Sequence, residues 1–265
     1  MTSARRLVAQ HLQGLRLSGV DFIPKEPEPR PPPPAEAPRV TAEPPAHAPL
    51  VEPKPSADTR PQADDERSRR QALLDEVRRR YERDAPHERF VTGHTRIVFG
   101  EGDPCARVMF VGEAPGEEED KTGRPFVGRA GQLLDKMIVA MGLSRDRVYI
   151  ANVLKTRPPN NATPTPEEAA LCAPYLHDQI RIVAPDALVT LGLPATRLIL
   201  GSDESMSRLR GRWARIVTGE GRVVPVMPTY HPAYVLRQYT PEVRGKVWAD
   251  LRLVVDRLAG LPASP

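Results

Sequence analysis

Cysteine is scarce in this 265-residue chain, which contains only Cys105 and Cys172. Two thiols cannot form the disulfide framework of a small secreted protein, and by themselves they do not make a zinc site. The sequence also has no run of 18 apolar residues, and its N-terminal segment lacks the apolar core and the cleavage site of a signal peptide. These absences favour a protein of the reducing cytoplasm with no membrane partner.

Aromatic residues are also few, at 5% of the chain, whereas proline is abundant. Of the 31 prolines, 14 fall between Pro24 and Pro61, in a stretch with almost no periodic apolar residues. Such a stretch cannot bury enough surface to offset the entropy of ordering it. We interpret residues 21–63 as a disordered linker, which is either a plain spacer or a docking site for a proline-recognising protein partner.

Helical spacing of apolar residues occurs on both sides of this linker. Within residues 1–20 it predicts a short amphipathic helix at about 4–17. After the linker it predicts a helix from about Asp64 to Arg83, which opens a single domain at 64–262. The net charge of +4 permits an anionic partner but is too small to establish one.

From Arg107 onward, apolar runs alternate with helical periods, which is typical of an α/β domain with a mostly parallel sheet. A capping box formed by Thr165 and Glu168 marks the start of one helix. The predicted strands are 107–112, 148–154, 187–192 and 223–229, with a hairpin strand near 213–217. The predicted helices are 128–142, 166–183, 194–200 and 241–259.

Three polar segments follow the predicted strands: GEAPGEEED after the first, NVLKTRPPNN at the end of the second and YHPAYVLR after the fourth. Ligands of such sheets bind in the crevice at the carboxyl ends of the strands. We therefore expect the three segments to converge on one site. Taken alone, the acids at 117–120 are typical of a solvated surface turn.

Several side chains in or near these segments have suitable chemistry. Glu113 is a candidate general base or a stabiliser of a cationic centre, and His231 is either a structural histidine or a donor to a developing oxyanion. Asn152 offers a donor and an acceptor, which suits reading the polar edge of a ring or capping a strand end. Phe126 is either a core residue or a stacking platform, and Gly112 lets the backbone approach a ligand closely.

Taken together, these segments closely resemble the family 4 uracil-DNA glycosylases. The resemblance covers about Arg96 to Leu258, and the order and spacing of its matches make it more specific than any single motif. The matching stretches are VFGEGDP (98–104), FVGEAPGEEED (110–120), GRPFVGRAGQLLD (123–135), ANVLKTRPPNN (151–161), PTPEEAALCAPYL (164–176) and TYHPAYVLR (229–237).

The resemblance implies an α/β/α sandwich of three layers around a central four-stranded parallel sheet. It also implies an enzyme that flips uracil out of DNA and hydrolyses its N-glycosidic bond, which starts base excision repair. In that role Glu113 and His231 would be catalytic, with Glu113 assisting water or the sugar cation and His231 donating to uracil O2. The implied base-binding residues are Gly112, Ala114, Glu119, Phe126 and Asn152. The implied DNA contacts are Arg129, Lys155, Arg157, Tyr234, Leu236 and Arg237.

The cysteines depart from the family pattern. The family binds a 4Fe–4S cluster through four cysteines, a close pair upstream of VFGEG, one in a KCRPP segment and one further along. Here Thr156 takes the KCRPP position, Cys172 matches the last ligand, and no cysteine precedes Cys105. One matching ligand cannot hold a cluster that needs four. We therefore expect no cofactor and no metal ligands, with the cluster's corner filled by other packing, for which the helix at 64–83 is a candidate.

Two alternatives share this fold. One is a DNA-binding or scaffold protein without catalysis, whose tail recruits a partner. The other is an abasic-site cross-linking relative, which ranks lowest because the segment after Asn152 contains no histidine. Retention of the four site residues favours the enzyme, which we expect to be a monomer that acts on uracil-containing DNA, single or double stranded, in the cytoplasm with the nucleoid.

Overall fold

A computed structural model describes residues 59–90, 93–219 and 221–260. Contacts divide the chain into Met1–Arg60 and Pro61–Pro265, and nearly all described residues belong to the second unit. The predicted helix at 4–17 and residues 21–58 of the predicted linker lie outside the described residues. No helix within the described ranges has both the length and the apolar character needed to cross a bilayer.

The described part alternates helices and strands, as the sequence pattern predicts. Its helices are α1 (Thr59–Asp84), α2 (Glu117–Thr122), α3 (Arg129–Ala140), α4 (Pro166–Val183), α5 (Leu193–Leu200), α6 (Met206–Leu209), α7 (Pro232–Arg237) and α8 (Pro241–Ala259). Its strands are β1 (Glu101–Gly102), β2 (Val108–Gly112), β3 (Tyr149–Asn152), β4 (Ala187–Leu191), β5 (Ala214–Val217) and β6 (Val223–Thr229).

The strands form one sheet in the order β1-β3-β2-β4-β6-β5. The central strands β3, β2, β4 and β6 are parallel, and β1 and β5 pair antiparallel at the two edges. The expected count of four strands is therefore wrong for the whole sheet, although the four predicted strands are its parallel centre. The two-residue β1 is too short to leave a periodic signal in the sequence.

Alternate residues of the central strands face opposite sides of the sheet. Met109 and Val111 belong to a first core cluster with α1, α4 and α5. Val108 and Phe110 belong to a second cluster with α3, α7 and α8. Because helices cover both faces of the sheet, the central strands are almost continuously apolar. Since these strands are parallel, their carboxyl ends lie together at one edge of the sheet, where ligands can bind.

Two helix starts differ from the sequence expectation. Helix α1 begins at Thr59 instead of Asp64, so residues 59–63, which we assigned to the linker, are helical. The acids at 117–120 form the first turn of α2 and are not a simple turn. Negative charge is favoured at a helix N-terminus, which explains how four consecutive acids fit there.

The capping box of α4 is confirmed. The Glu168 N–H donates to Thr165 Oγ1 (3.2 Å), and the Thr165 N–H donates to Glu168 Oε2 (2.7 Å). This pairing satisfies two of the N–H groups that a helix start leaves without partners. It fixes the beginning of α4 directly after the loop that follows β3.

Candidate active site

The loops at the carboxyl edge of the sheet enclose a cavity of about 670 Å³. All three predicted segments contribute to its wall, and the segment after β4 adds Gly192 to Pro194. The sequence-predicted residues that line it are Glu113, Ala114, Glu119, Phe126, Asn152, His231, Tyr234 and Arg237.

Glu113 lies directly after β2, at the cavity wall. Burial raises the pKa of its carboxyl above the usual range, and a hydrogen bond with the Thr163 side chain partly opposes that shift. A carboxylate with a raised pKa takes up a proton more readily than an exposed one. Glu113 can therefore act as a base toward a molecule in the cavity.

His231 is the N-cap residue of α7, and its ring accepts a hydrogen bond from the Ala233 N–H at Nδ1 (3.1 Å). Burial, with a smaller contribution from the Arg237 charge, lowers the pKa of the imidazole to about 4. The ring is therefore neutral at pH 7. Since Nδ1 is the acceptor, the proton resides on Nε2, which can donate to a ligand in the cavity.

Phe126 is a core residue that also lines the cavity. Its side chain is buried and belongs to the second core cluster. The ring also lines the cavity, where its centroid lies 5.6 Å from that of His231 at an interplanar angle of 35°. This core ring therefore forms part of the cavity wall beside the imidazole.

Asn152 ends β3 with a side chain that is 1% exposed, and its Oδ1 has no hydrogen-bond partner. Gly112 makes this placement possible, because a Cβ at that position would lie 2.4 Å from Asn152 Oδ1 and 2.4 Å from Phe126 Cζ. A buried acceptor without a partner is costly unless something supplies a donor. A hydrogen-bond donor on a ligand would satisfy this acceptor.

Glu119 lines the cavity, but its carboxylate is engaged by the backbone. Oε1 accepts from the Val127 and Gly128 N–H groups (2.8 Å each), and Oε2 accepts from the Gly116 N–H (3.1 Å). With both oxygens bound, we assign Glu119 to bracing the loop. Our prediction that it binds a base directly has no support from this geometry.

Lys155 does not lie at the surface, so our prediction that it contacts DNA is wrong for this conformation. Its side chain is fully buried and donates to the Asn152 carbonyl (2.8 Å) and to Gln179 Oε1 (2.5 Å). Burial lowers the pKa of its ammonium to about 7. The lysine therefore ties the end of β3 to α4.

The other predicted DNA contacts are unevenly placed. Tyr234 and the exposed Arg237 line the cavity, and the Tyr234 ring lies 4.8 Å from that of Tyr230. Arg129 is exposed outside the cavity, whereas Leu236 packs against the second core cluster. Arg157 is partly buried and donates to Asn161 Oδ1 (2.8 Å).

The cavity residues that the sequence-based set missed include Thr163, Gly192 and Tyr230. Thr163 hydrogen-bonds Glu113, and Gly192 (φ 89°) lies so close to His231 that a Cβ would meet the histidine Cβ at 3.0 Å. Tyr230 could have been found from its place beside His231. Thr163 and Gly192 carry no signal of their own, because their importance comes from residues distant in the chain.

The corner that would hold a cluster does not fit one. Thr156 and Cys172 are buried beside the Tyr81 hydroxyl. Cys105 lies elsewhere, where its backbone N–H donates to the Asp103 carboxylate. Cluster ligation needs four thiolates, and burial raises the pKa of the Cys172 thiol, which opposes ionisation. Among the described residues, no three His, Cys, Asp or Glu side chains form a metal-binding group.

Tyr81 of α1 packs beside Thr156 and Cys172 at that corner. The Tyr81 ring stacks on His87 (5.3 Å between centroids, 14° between planes) and meets Tyr175 edge-on (5.0 Å, 84°). The Tyr175 hydroxyl donates to Asp84 Oδ2 (2.9 Å). Aromatic contacts of this geometry stabilise a core beyond the area they bury.

Comparison with known proteins identifies the family of this chain. A family model described as the uracil DNA glycosylase superfamily matches residues 99–252. A type-4 uracil-DNA glycosylase of Thermotoga maritima is 49% identical over 158 residues, which cover 59% of this chain and 80% of that protein. One of Archaeoglobus fulgidus is 43% identical over 164 residues (60% and 81%), and a type-5 uracil-DNA glycosylase of Pyrobaculum aerophilum is 36% identical over 147 residues (50% and 63%). This chain therefore belongs to the uracil-DNA glycosylase superfamily.

Proposed function

We propose that this protein is a type-4-like uracil-DNA glycosylase, which hydrolyses the bond between uracil and deoxyribose in DNA and leaves an abasic site. The observation that carries the proposal is the cavity in which a neutral His231, the buried Asn152 amide and the Glu113 carboxylate meet. Family membership and the type-4 relatives support the same reaction. The substrate is uracil-containing DNA, from which the nucleotide must leave the stack to reach such a site.

Base recognition rests on Phe126 and Asn152. Uracil presents an N3–H donor beside an O4 acceptor, and the Asn152 amide offers the complementary acceptor and donor. The uracil N3–H would donate to Asn152 Oδ1, a buried acceptor that has no hydrogen-bond partner within the protein. The Phe126 ring would stack on the base plane.

Bond cleavage uses the other two side chains. As the bond between uracil N1 and C1′ breaks, the electron pair stays on the base, and His231 Nε2–H donates a hydrogen bond to O2 of the departing anion. A water attacks C1′ and its proton passes to Glu113, whose raised pKa suits this role. That proton then passes through solvent from Glu113 to the uracil anion, which restores the carboxylate and leaves free uracil and an abasic sugar.

The flanking strand would contact the cavity mouth. Tyr234 and Arg237 line the cavity and would contact this strand. Arg129 and Arg157 are two further basic residues that we assign to contacts with the DNA phosphates. Phosphate contacts of this kind position DNA without reading its sequence. Unpairing costs least at a mispair, so we expect uracil opposite guanine to be extruded most readily.

The test is excision of uracil from a labelled oligonucleotide by the full-length chain, measured as abasic product. We expect product with the wild type and a loss of about 10²–10⁴-fold in single-turnover rate with Glu113→Gln, the range for removal of a positioned acid or base. DNA binding with no abasic product from the wild type would contradict the proposal and favour a scaffold protein on the same fold.

The pH profile provides a second prediction, for Thr163→Val. Glu113 must be ionised to accept a proton, so the rate should fall as the pH drops through its raised pKa. The pKa of His231, at about 4, lies below the raised pKa of Glu113, so Glu113 takes up its proton first as the pH falls. Thr163→Val removes the hydrogen bond that lowers the Glu113 pKa, so the acid limb of single-turnover rate against pH should move to higher pH.

The control for this prediction is the rate on the alkaline plateau, where Glu113 is ionised in both proteins. We expect the two plateaus to agree within a fewfold, since Thr→Val keeps the side-chain shape. An unmoved acid limb would show that Glu113 is not the group whose ionisation limits the rate.

We also propose that the protein works without a 4Fe–4S cluster, supported by the single matching cysteine and by the packing of Tyr81 against Tyr175. We expect purified full-length protein to contain no stoichiometric iron or acid-labile sulfide. Cys172→Ala should keep uracil excision within a fewfold of wild type, as should the matched variant Cys105→Ala. Stoichiometric iron that disappears in Cys172→Ala together with activity would contradict this.

A further inference from the structure

The backbone at Phe126 adopts a conformation that aromatic residues rarely use. Its φ is 52°, in the left-handed region, where a Cβ crowds the following carbonyl. Such a conformation persists only where the surroundings hold it, and it is most frequent at functional sites. The turn at 125–128 must therefore be held by specific contacts.

Arg145 holds the carbonyl side of that turn. Its guanidinium donates to the Pro125 carbonyl and to the Phe126 carbonyl (Nη1, 3.2 Å). The remaining donors go to Glu101 Oε1 (2.9 Å from Nε, 2.8 Å from Nη2) and to Asp135 Oδ1 (2.6 Å from Nη1). Five hydrogen bonds match the five N–H groups of an arginine, and two acids keep its orientation fixed.

Glu119 holds the opposite side of the same turn. Its Oε1 accepts from the Val127 and Gly128 N–H groups, so carbonyls 125 and 126 face a cation while amides 127 and 128 face an anion. Gly131 of α3 closes the remaining space, because a Cβ there would lie 1.9 Å from the Phe126 carbonyl oxygen. The Phe126 carbonyl is thus enclosed on both sides.

We propose that Arg145 is a positioning residue for the base: with Glu119 it keeps the 125–128 turn in the shape that presents the Phe126 ring beside His231. Arg145 lies 19 residues from Phe126 in the chain, and its side chain is only 22% exposed. It does not line the cavity, so it acts through Phe126 and not on the base. This inference rests on the proposed uracil excision.

Arg124 offers a matched control because its side chain binds the same acid but makes no hydrogen bond to the carbonyls of the turn. It donates to both oxygens of Glu101 (2.8 and 3.1 Å) by an exposed side chain. Arg124→Met removes an ion pair of Glu101, whereas Arg145→Met removes ion pairs of Glu101 and Asp135 together with the two carbonyl contacts. If the charge network only stabilises the fold, both variants lower the melting temperature but keep the excision rate of the folded protein.

The experiment measures single-turnover uracil excision at saturating enzyme, with thermal unfolding, for the wild type, Arg145→Met, Arg145→Lys and Arg124→Met. We expect Arg145→Met to lose about 10–100-fold in rate, the scale for a small misplacement of a substrate-holding group, and Arg124→Met to stay within about 3-fold. Binding to DNA without uracil should be the same in all of them. Arg145→Lys keeps the charge but has only three donors, so an intermediate loss is expected.

A double-mutant cycle with Phe126→Ala separates positioning from general destabilisation. In the Phe126→Ala background we expect Arg145→Met to cause less than about 3-fold further loss, because the ring it positions is gone. Equal losses in both backgrounds, or wild-type rates in Arg145→Met, would overturn the inference. If Arg145→Met does not fold, Arg145→Lys takes its place in the cycle with the same criteria, and an inactive wild type would instead refute the proposed function.

Discussion

His231→Asn should slow uracil excision by about 10²–10³-fold, the loss seen when one donor to a developing oxyanion is removed, and leave the melting temperature nearly unchanged. Asparagine is among the best N-cap residues, so its side-chain oxygen can replace Nδ1 as the acceptor for the Ala233 N–H. It is too short to place a donor where Nε2–H lies. The variant thus removes the proposed catalytic hydrogen bond while keeping the start of α7.

His231→Ala is the matched comparison, because it removes the donor and the cap together. We expect the same rate loss as in His231→Asn, with an additional loss of about 0.5–2 kcal/mol in the free energy of unfolding from the missing cap. The measurements are single-turnover excision and thermal or denaturant unfolding of each variant. A near wild-type excision rate in His231→Asn would show that His231 does not assist departure of the base.

The pH dependence of stability should also report on His231. Since the pKa in the folded protein is about 4, against about 6.5 unfolded, the unfolded chain binds more protons between these values. The contribution of this group to stability is therefore complete above about pH 6.5 and is lost as the pH falls toward 4. In His231→Asn, the acid-side decline in unfolding free energy should be shallower over this window.

Asn152→Leu should reduce uracil excision by about 10²–10⁴-fold. Leucine has a similar volume but no polar atoms, so N3–H and O4 of a bound uracil would both be buried without partners, at about 1–3 kcal/mol each. Binding to DNA without uracil should change little, because Asn152 is buried and does not face the backbone of an unflipped strand. Excision kinetics and binding by anisotropy measure the two effects separately.

Asn161→Gly is the control for this prediction. Asn161 lines the same cavity, but it is exposed and its Oδ1 already accepts from Arg157. Its φ of 53° suits glycine without strain. We expect a loss of less than about 10-fold, and a similar large loss in both variants would show that the effect of Asn152→Leu is not due to base recognition.

Local patterns in the sequence were sufficient for the parallel strands and the longer helices, but not for α2 and α7. Strands β2, β3, β4 and β6 occur where apolar runs predict them, and α4 starts at its predicted capping box. The convergence of three loops on one cavity also followed from the sequence, because the carboxyl ends of parallel strands share an edge. Two elements could not be predicted from the periodicity of apolar residues. Strand β1 has only two residues, and helix α2 consists mainly of acidic residues.

The sequence by itself therefore determined the α/β class, the parallel centre of the sheet and the identity of Glu113, Phe126, Asn152 and His231 as site candidates. Only the tertiary structure decided that Lys155 is buried under Asn152 instead of facing DNA, that Glu119 braces a loop, and that the His231 proton resides on Nε2. The physical reason is that periodicity and capping depend on neighbours within a few residues. Burial, protonation and backbone strain depend on partners that only folding brings together, as Gln179 meets Lys155 across 24 residues.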